Sequence, residues 1–199
     1  MIQWSDFDTL RESLPAPAFG ATMPAVSPYR VIFVCMGNIC RSPMAELVFR
    51  QQLELAGLAG QVVADSAGTG DWHIGDPADR RARAALERRG YPTEHRARQF
   101  ETTWFAEREL VIALDRDNAR QLKRLAPTRE ISDAVRLLRQ FDTNAEAVDI
   151  PDPYYGDAAG FDEALDQIEP SCAGLLEHLA IELKAPAPMA QINSLAKHP

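Results

Sequence analysis

The segment Val34-Cys35-Met36-Gly37-Asn38-Ile39-Cys40-Arg41-Ser42-Pro43 places a thiol and a guanidinium in a short loop with five residues between them. Such a loop, running from a buried strand into a helix, turns successive backbone N–H groups inward and makes an anion nest. Gly37 and Asn38 suit the positive φ angles that a tight curl asks for. The field that gathers an oxyanion also stabilises a thiolate, so Cys35 is the candidate nucleophile. The forked donors of Arg41 hold two phosphate oxygens at once, which a lysine cannot do. Ser42 either caps the helix or offers its hydroxyl to the thiolate. A thiolate facing a bound phosphate is arranged for in-line attack on phosphorus. A bare Cys-(x)5-Arg arises often by chance, and a Cys at a strand end is ordinarily core. Here the strand, the Gly-Asn pair, the second Cys and the Ser-Pro helix start occur together. Cys40 is either a partner for Cys35 on oxidation or a small packing residue. No Cys/His pair follows at the spacing a zinc site needs, and no Gly-Lys-Ser/Thr marks a nucleotide loop. No metal and no cofactor is implied.

A second run, Ile150-Pro151-Asp152-Pro153-Tyr154-Tyr155-Gly156, carries a carboxyl group between two prolines. Expelling a phenolate from phosphorus is eased by a proton delivered to the leaving oxygen. Asp152 is the candidate donor, because Pro151 and Pro153 stiffen its loop. Taken alone, Asp-Pro is a common turn. Trp72 follows the Gly-rich turn after Ser66 and either walls a cleft or closes the edge of the core.

The elements that must position these groups alternate along the chain. Strands are expected at Val31–Cys35, Gln61–Asp65, Leu110–Leu114 and Ala134–Leu138. Helices are expected at Ser42–Ala56, Pro77–Arg89, Arg116–Leu125 and Gly160–Lys184, the first with Ser42 as N-cap, Pro43 at the first helical position and Gly57 as its stop. This predicts a three-layer α/β fold, a four-stranded parallel sheet with helices on both faces. Ligands bind such sheets at the carboxyl ends of the strands, which is where Cys35 lies. The chain has 199 residues, ordinary for one domain, at 46% apolar and 25% charged composition. A formal charge of −8 argues against nucleic acid as a partner. No run is long enough for a membrane span. Three cysteines without a disulfide framework point to a reducing, cytoplasmic setting. Residues 1–28 read as a flexible extension, Pro-rich from Pro15 to Pro28, in which Trp4, Phe7, Leu10 and Leu14 share one side of a short helix. Residues 29–184 read as the domain and 185–199 as a tail. A run from Gln140 to Leu183 has eleven acidic residues and neither Lys nor Arg. Arg80, Arg81, Arg83, Arg88, Arg89, Arg96 and Arg98 form a basic stretch, either an exposed face or an attractor for acidic substrates.

The two motifs together resemble those of low-molecular-weight protein tyrosine phosphatases, and the resemblance spans about Tyr29 to Leu183. It implies a phosphotyrosine phosphatase I-like fold and a cysteinyl-phosphate intermediate on Cys35, with Arg41 as the phosphate clamp. It implies Asp152 as general acid, then as base for the water that releases phosphate. It places Met36, Gly37, Asn38, Ile39, Cys40 and Ser42 around the phosphate, and Trp72, Tyr154 and Tyr155 at the mouth of the pocket. Asn38, Ser42, Ser66 and His95 match a hydrogen-bond network beneath the loop. The implied partner is a phosphotyrosine protein or peptide, with a tyrosine kinase as a candidate, and inorganic phosphate is the product. An arsenate reductase on the same scaffold would need further thiols, and only Cys172 remains. Phosphoarginine phosphatases tend to carry Thr where this chain has Ile39. A non-catalytic phosphate-binding module would need neither Cys35 nor Asp152.

Overall fold

The computed structural model describes residues 27–183. The expectations for the Pro-rich extension and the C-terminal tail lie outside the described residues. The sheet contains β1 (Tyr29–Cys35), β2 (Val62–Gly68), β3 (Leu110–Ala113) and the two-residue β4 (Arg136–Leu137), in the order β2-β1-β3-β4, all parallel. Central β1 is apolar on both faces because both are covered. Val31, Phe33 and Cys35 face one core with α1 (Arg41–Leu55), α2 (Arg80–Arg88) and α5 (Ala158–Glu182). Ile32 and Val34 face a second core with α3 (Arg116–Leu125), Phe100 and Phe105. The fold is the expected three-layer α/β sandwich.

Local differences from the expected elements have physical reasons. Helix α1 begins at Arg41, with Cys40 as a cap that supplies no side-chain bond. Ser42 is therefore not the N-cap, and its hydroxyl turns inward to the loop. Pro43 is the third helical residue, where its missing N–H still costs no intrahelical bond. Gly57 ends the helix at φ +70°, as expected. Strand β2 runs on to Gly68, beyond the expected Asp65, because Ser66 and Ala67 stay paired to Phe33 and Val34. Helix α2 starts three residues later than Pro77, where the Asp79 carboxylate caps the N–H of Arg81. Helix α5 starts at Ala158, capped by Asp157, and passes through Pro170. Three elements were not expected: α4 (Arg129–Ala134), capped by Thr128, and the 3-10 turns at Thr102–Ala106 and Leu138–Phe141.

Candidate active site

The loop between β1 and α1 curls at the carboxyl end of the central strand. Its left-handed residue is Asn38 (φ 54°), not Gly37. Gly37 is needed for space instead: a Cβ there would lie 3.1 Å from Cδ2 of His73, whose ring covers it. A Cβ on Gly68, at the end of β2, would lie 2.7 Å from the Met36 carbonyl, so β2 presses directly on the loop.

Asn38 is fully buried and holds the curl together. Its Nδ2 donates to Ser42 Oγ and Ser66 Oγ, both at 2.9 Å. Its Oδ1 accepts the Arg98 N–H at 2.9 Å, and its carbonyl accepts His95 Nε2 at 2.8 Å. Ser66 Oγ donates onward to Glu46 Oε2 at 2.6 Å, and His95 Nδ1 lies 3.7 Å from the same oxygen. Burial pushes the Glu46 carboxyl up, but His95 and Ser66 outweigh it and hold it below the usual range. The expected network beneath the loop thus gathers Asn38, Ser42, Ser66 and His95. Glu46, which was not expected, completes it. Its signal was a carboxylate four residues after Ser42, on the face of α1 that must be buried.

Cys35 Sγ lies 3.0 Å from Ser42 Oγ. The hydroxyl has one proton to give, and the Ala67 carbonyl at 3.2 Å competes for it.

Arg41 is 2% exposed, a guanidinium sunk beside the loop. Its Nη1 donates to Asp115 Oδ2 at 2.5 Å and to the Ile150 carbonyl at 3.0 Å, and its Nη2 donates to Asp152 Oδ2 at 2.5 Å. Its Nε–H has no partner among the described residues. Burial works against the charge, but Cys35, Asp152 and Asp115 more than offset it and raise the pKa above its ordinary value. Asp115 was not expected, although it sits just past the carboxyl end of β3, where the strand-end rule directs a search.

Above the loop opens a cleft of about 470 Å3, lined by Cys35, Met36, Gly37, Ile39, Cys40, Trp72, His73, Asp152, Tyr154 and Tyr155. Trp72 is 70% exposed, so it is a wall of the cleft and does not close the core. Tyr154 and Tyr155 meet edge to face at 5.0 Å. A larger hollow of about 600 Å3 lies behind β2, where Glu46, Arg50, His95, Arg96 and Arg98 mix both signs of charge and bring no nucleophile. Cys40 and Cys172 are buried free thiols. Burial, then the neighbouring Cys35, Asp79 and Asp152, push the Cys40 thiol far up. Most of the basic stretch is engaged within the molecule: Arg88 and Arg89 pair with acids of α5, Arg98 with Asp65 and Arg81 with Asp79.

Fold and site together define an α/β protein that sets a thiol and a buried guanidinium in one loop at the carboxyl end of its central strand. Comparison with known proteins narrows the class. The family described as low molecular weight phosphotyrosine protein phosphatase matches residues 30–185. A low molecular weight protein-tyrosine-phosphatase of Streptomyces coelicolor is 54% identical over 150 residues, 74% of this chain and 92% of that protein. The crystal structure of YfkJ from Bacillus subtilis superposes with a TM-score of 0.75 at 37% identity, over 79% of this chain and 98% of that one. A Drosophila arginine phosphatase superposes with a TM-score of 0.70 at 32% identity, over 75% of this chain and 96% of that one. The chain belongs to the low-molecular-weight protein tyrosine phosphatases.

Proposed function

We propose that the protein hydrolyses phosphotyrosine in proteins by two displacements at phosphorus. In the first, Cys35 Sγ forms a bond to phosphorus, the bond to the aryl oxygen breaks, and Asp152 gives that oxygen its proton. In the second, water forms a bond to phosphorus, Asp152 takes its proton, the S–P bond breaks and inorganic phosphate leaves.

The observation that carries this reading is the orientation of Arg41. Asp115 and the Ile150 carbonyl fix Nη1, which leaves the Nε–Nη2 edge as the one to grip two phosphate oxygens. Asp152 occupies Nη2 of that edge. A phosphate taking the edge displaces the Asp152 carboxylate, which is then next to the leaving group rather than tied to the clamp. The aromatic walls Trp72, Tyr154 and Tyr155 favour a flat aryl ester of tyrosine's depth. The substrate is thus a tyrosine-phosphorylated protein, an autophosphorylated tyrosine kinase among them. Three free thiols fit a reducing cytoplasmic setting. No helix among the described residues is long and apolar enough to cross a membrane.

The likeness to an arginine phosphatase makes phosphoarginine the second reading. Ile39 and the aromatic mouth argue for the first. Arsenate reduction is disfavoured because Cys172, the one thiol beyond the loop, is wholly buried in the core. The test compares phosphotyrosine and phosphoarginine peptides and arsenate in one preparation. Phosphotyrosine is expected to give the highest kcat/KM. Cys35→Ser is expected to abolish turnover and keep the binding of a non-covalent phosphate analogue. Equal or faster phosphoarginine hydrolysis, or a working Cys35→Ser enzyme, overturns the reading.

A further inference from the structure

The loop that carries Asp152 is exposed from Tyr154 to Ala159, and its anchorage is sparse. Ile150 fixes its start by donating its N–H to the Leu114 carbonyl, and Asp157 fixes its end by capping α5. Between them, among the described residues, two side chains from outside the loop hydrogen-bond to it. One is Arg41, on the Asp152 carboxylate itself. The other is Arg81, in the first turn of α2.

A cation in a helix's first turn opposes the helix dipole, so its presence needs a reason. Arg81 uses both edges of its guanidinium. Nε and Nη2 fork onto the two oxygens of Asp79, at 3.1 and 3.0 Å. Nη1 donates to the Gly156 carbonyl at 2.8 Å, and Nη2 to the Tyr154 carbonyl at 2.9 Å. The flat face lies over the Phe161 ring of α5, 4.6 Å from its centre. Asp79 in turn donates its backbone N–H to the Ile39 carbonyl at 2.7 Å, inside the phosphate loop. A continuous chain of hydrogen bonds therefore runs from Ile39 through Asp79 and Arg81 to Tyr154 and Gly156. It spans the cleft's two walls, the one that binds phosphate and the one that carries the proton donor.

We propose that Arg81 is a positioning residue that sets the acid-bearing loop at its working distance from the phosphate loop. This rests on Asp152 being the proton donor. When phosphate displaces Asp152 from Arg41, the loop beyond Ile150 loses one of its two outside hydrogen-bond partners, and Arg81 is the one that still holds it in register at that moment. Two carbonyls 2 residues apart need a planar fork, so lysine is a poor substitute.

The experiment measures kcat/KM against a series of aryl phosphates from acidic phenols to phosphotyrosine. The proteins are the full chain, Arg81→Met, Arg81→Lys, Asp152→Asn and the Arg81→Met/Asp152→Asn double variant. Arg80, exposed and without a hydrogen-bond partner among the described residues, supplies the control Arg80→Met. Arg81→Met keeps the packing over Phe161 and loses the fork. Its loss is expected to grow with leaving-group pKa, from about twofold for activated esters to about tenfold for phosphotyrosine, within the range of a weakened general acid. Arg81→Lys should fall between it and the parent. In the Asp152→Asn background, Arg81→Met should add little, because its effect passes through the missing proton. A merely structural staple would lower the melting temperature and kcat/KM equally across the series, and its effect would add to that of Asp152→Asn; either result overturns the proposal. Should Arg81→Met not fold, Arg81→Lys carries the same comparison. If Asp152→Asn itself shows no leaving-group dependence, the acid assignment falls and this proposal with it. A steep Asp152→Asn beside a flat Arg81 variant removes this proposal alone.

Discussion

Asn38 concentrates more of the site's geometry than any group that touches phosphorus in the proposed reaction. It adopts a left-handed backbone and makes three side-chain hydrogen bonds from a fully buried position. Among the described residues it is the one non-glycine with positive φ. Replacing it by alanine leaves Ser66 and the Arg98 N–H short of a partner and keeps the backbone cost. The expected destabilisation is about 2–4 kcal/mol, with a fall in kcat larger than any rise in KM, since the loop N–H groups lose their fixed aim. Asn38→Gly loses the same bonds but accepts the positive φ, so it should be more stable than Asn38→Ala by ~1 kcal/mol. Urea midpoints of the two variants check this, and an alanine variant as stable as the glycine one would show that the turn is not strained. Arg41→Lys belongs to the same scale. An ammonium in that buried place cannot meet Asp115, Asp152 and the Ile150 carbonyl and still offer a flat edge. A loss of ~10²-fold or more in kcat/KM is expected.

At the scale of elements, the phosphate loop is shaped by what presses on it from outside. The end of β2 meets its backbone at Gly68, where a Cβ would lie 2.7 Å from the Met36 carbonyl and 3.1 Å from the Asn38 nitrogen. Neither atom is a flexible side-chain end. Gly68→Ala should therefore push the loop, lose about 1–3 kcal/mol of stability and depress kcat although no reacting group has changed. Unchanged activity would show that the loop yields freely. The elements that sequence patterning made legible are those with strong local causes. The apolar run of β1 requires cover on both faces, and α1 has a glycine stop. The illegible ones depend on tertiary contact. α4 buries no residue that would mark a face, and β4, expected over Ala134–Leu138, shrinks to the two residues that pair with β3. The site divides the same way. The loop and the Pro-Asp-Pro run are contiguous and readable. His73 and Arg81 come to the site from other segments, so their neighbours in sequence say nothing of it, while Glu46 on α1 and Asp115 past the end of β3 had only a positional signal. Gly37 was assigned by local turn chemistry, and the packing of His73 gave it a different task; of the two tasks open to Ser42, the structure takes the one beside Cys35.

For the whole molecule, charge is segregated by sequence and recombined by the fold. Acids of α5 meet arginines of α2, and Arg116 meets Asp149 beside the acid loop. These pairings bound the pH range in which the fold is most stable. Burial raises the pKa of Glu46, and His95 and Ser66 outweigh it, so the folded value lies below the ordinary one. Asp79 is lowered by its hydrogen bonds from Arg81. Asp149 is raised by burial and lowered further by Arg116. For all three, the folded chain binds fewer protons than the unfolded chain near their ordinary pKa values. Stability from them is present above that range and is lost as pH falls below about 4.5. The opposite limb comes from groups kept neutral. Burial, then Glu182 and Glu109, push the Tyr29 phenol to about 12. Burial also raises Tyr91, Cys40 and Cys172. Here the unfolded chain sheds its protons first, so stability is full below about pH 8 and falls as thiols and then phenols ionise on unfolding. The urea midpoint plotted against pH should be a plateau with two falling limbs. Glu46→Gln should flatten the acid limb and leave the alkaline one unchanged. Tyr29→Phe should flatten the alkaline limb above about pH 10 and leave the acid one unchanged. An acid limb of the same slope in Glu46→Gln would mean that the network beneath the phosphate loop does not hold that carboxylate charged.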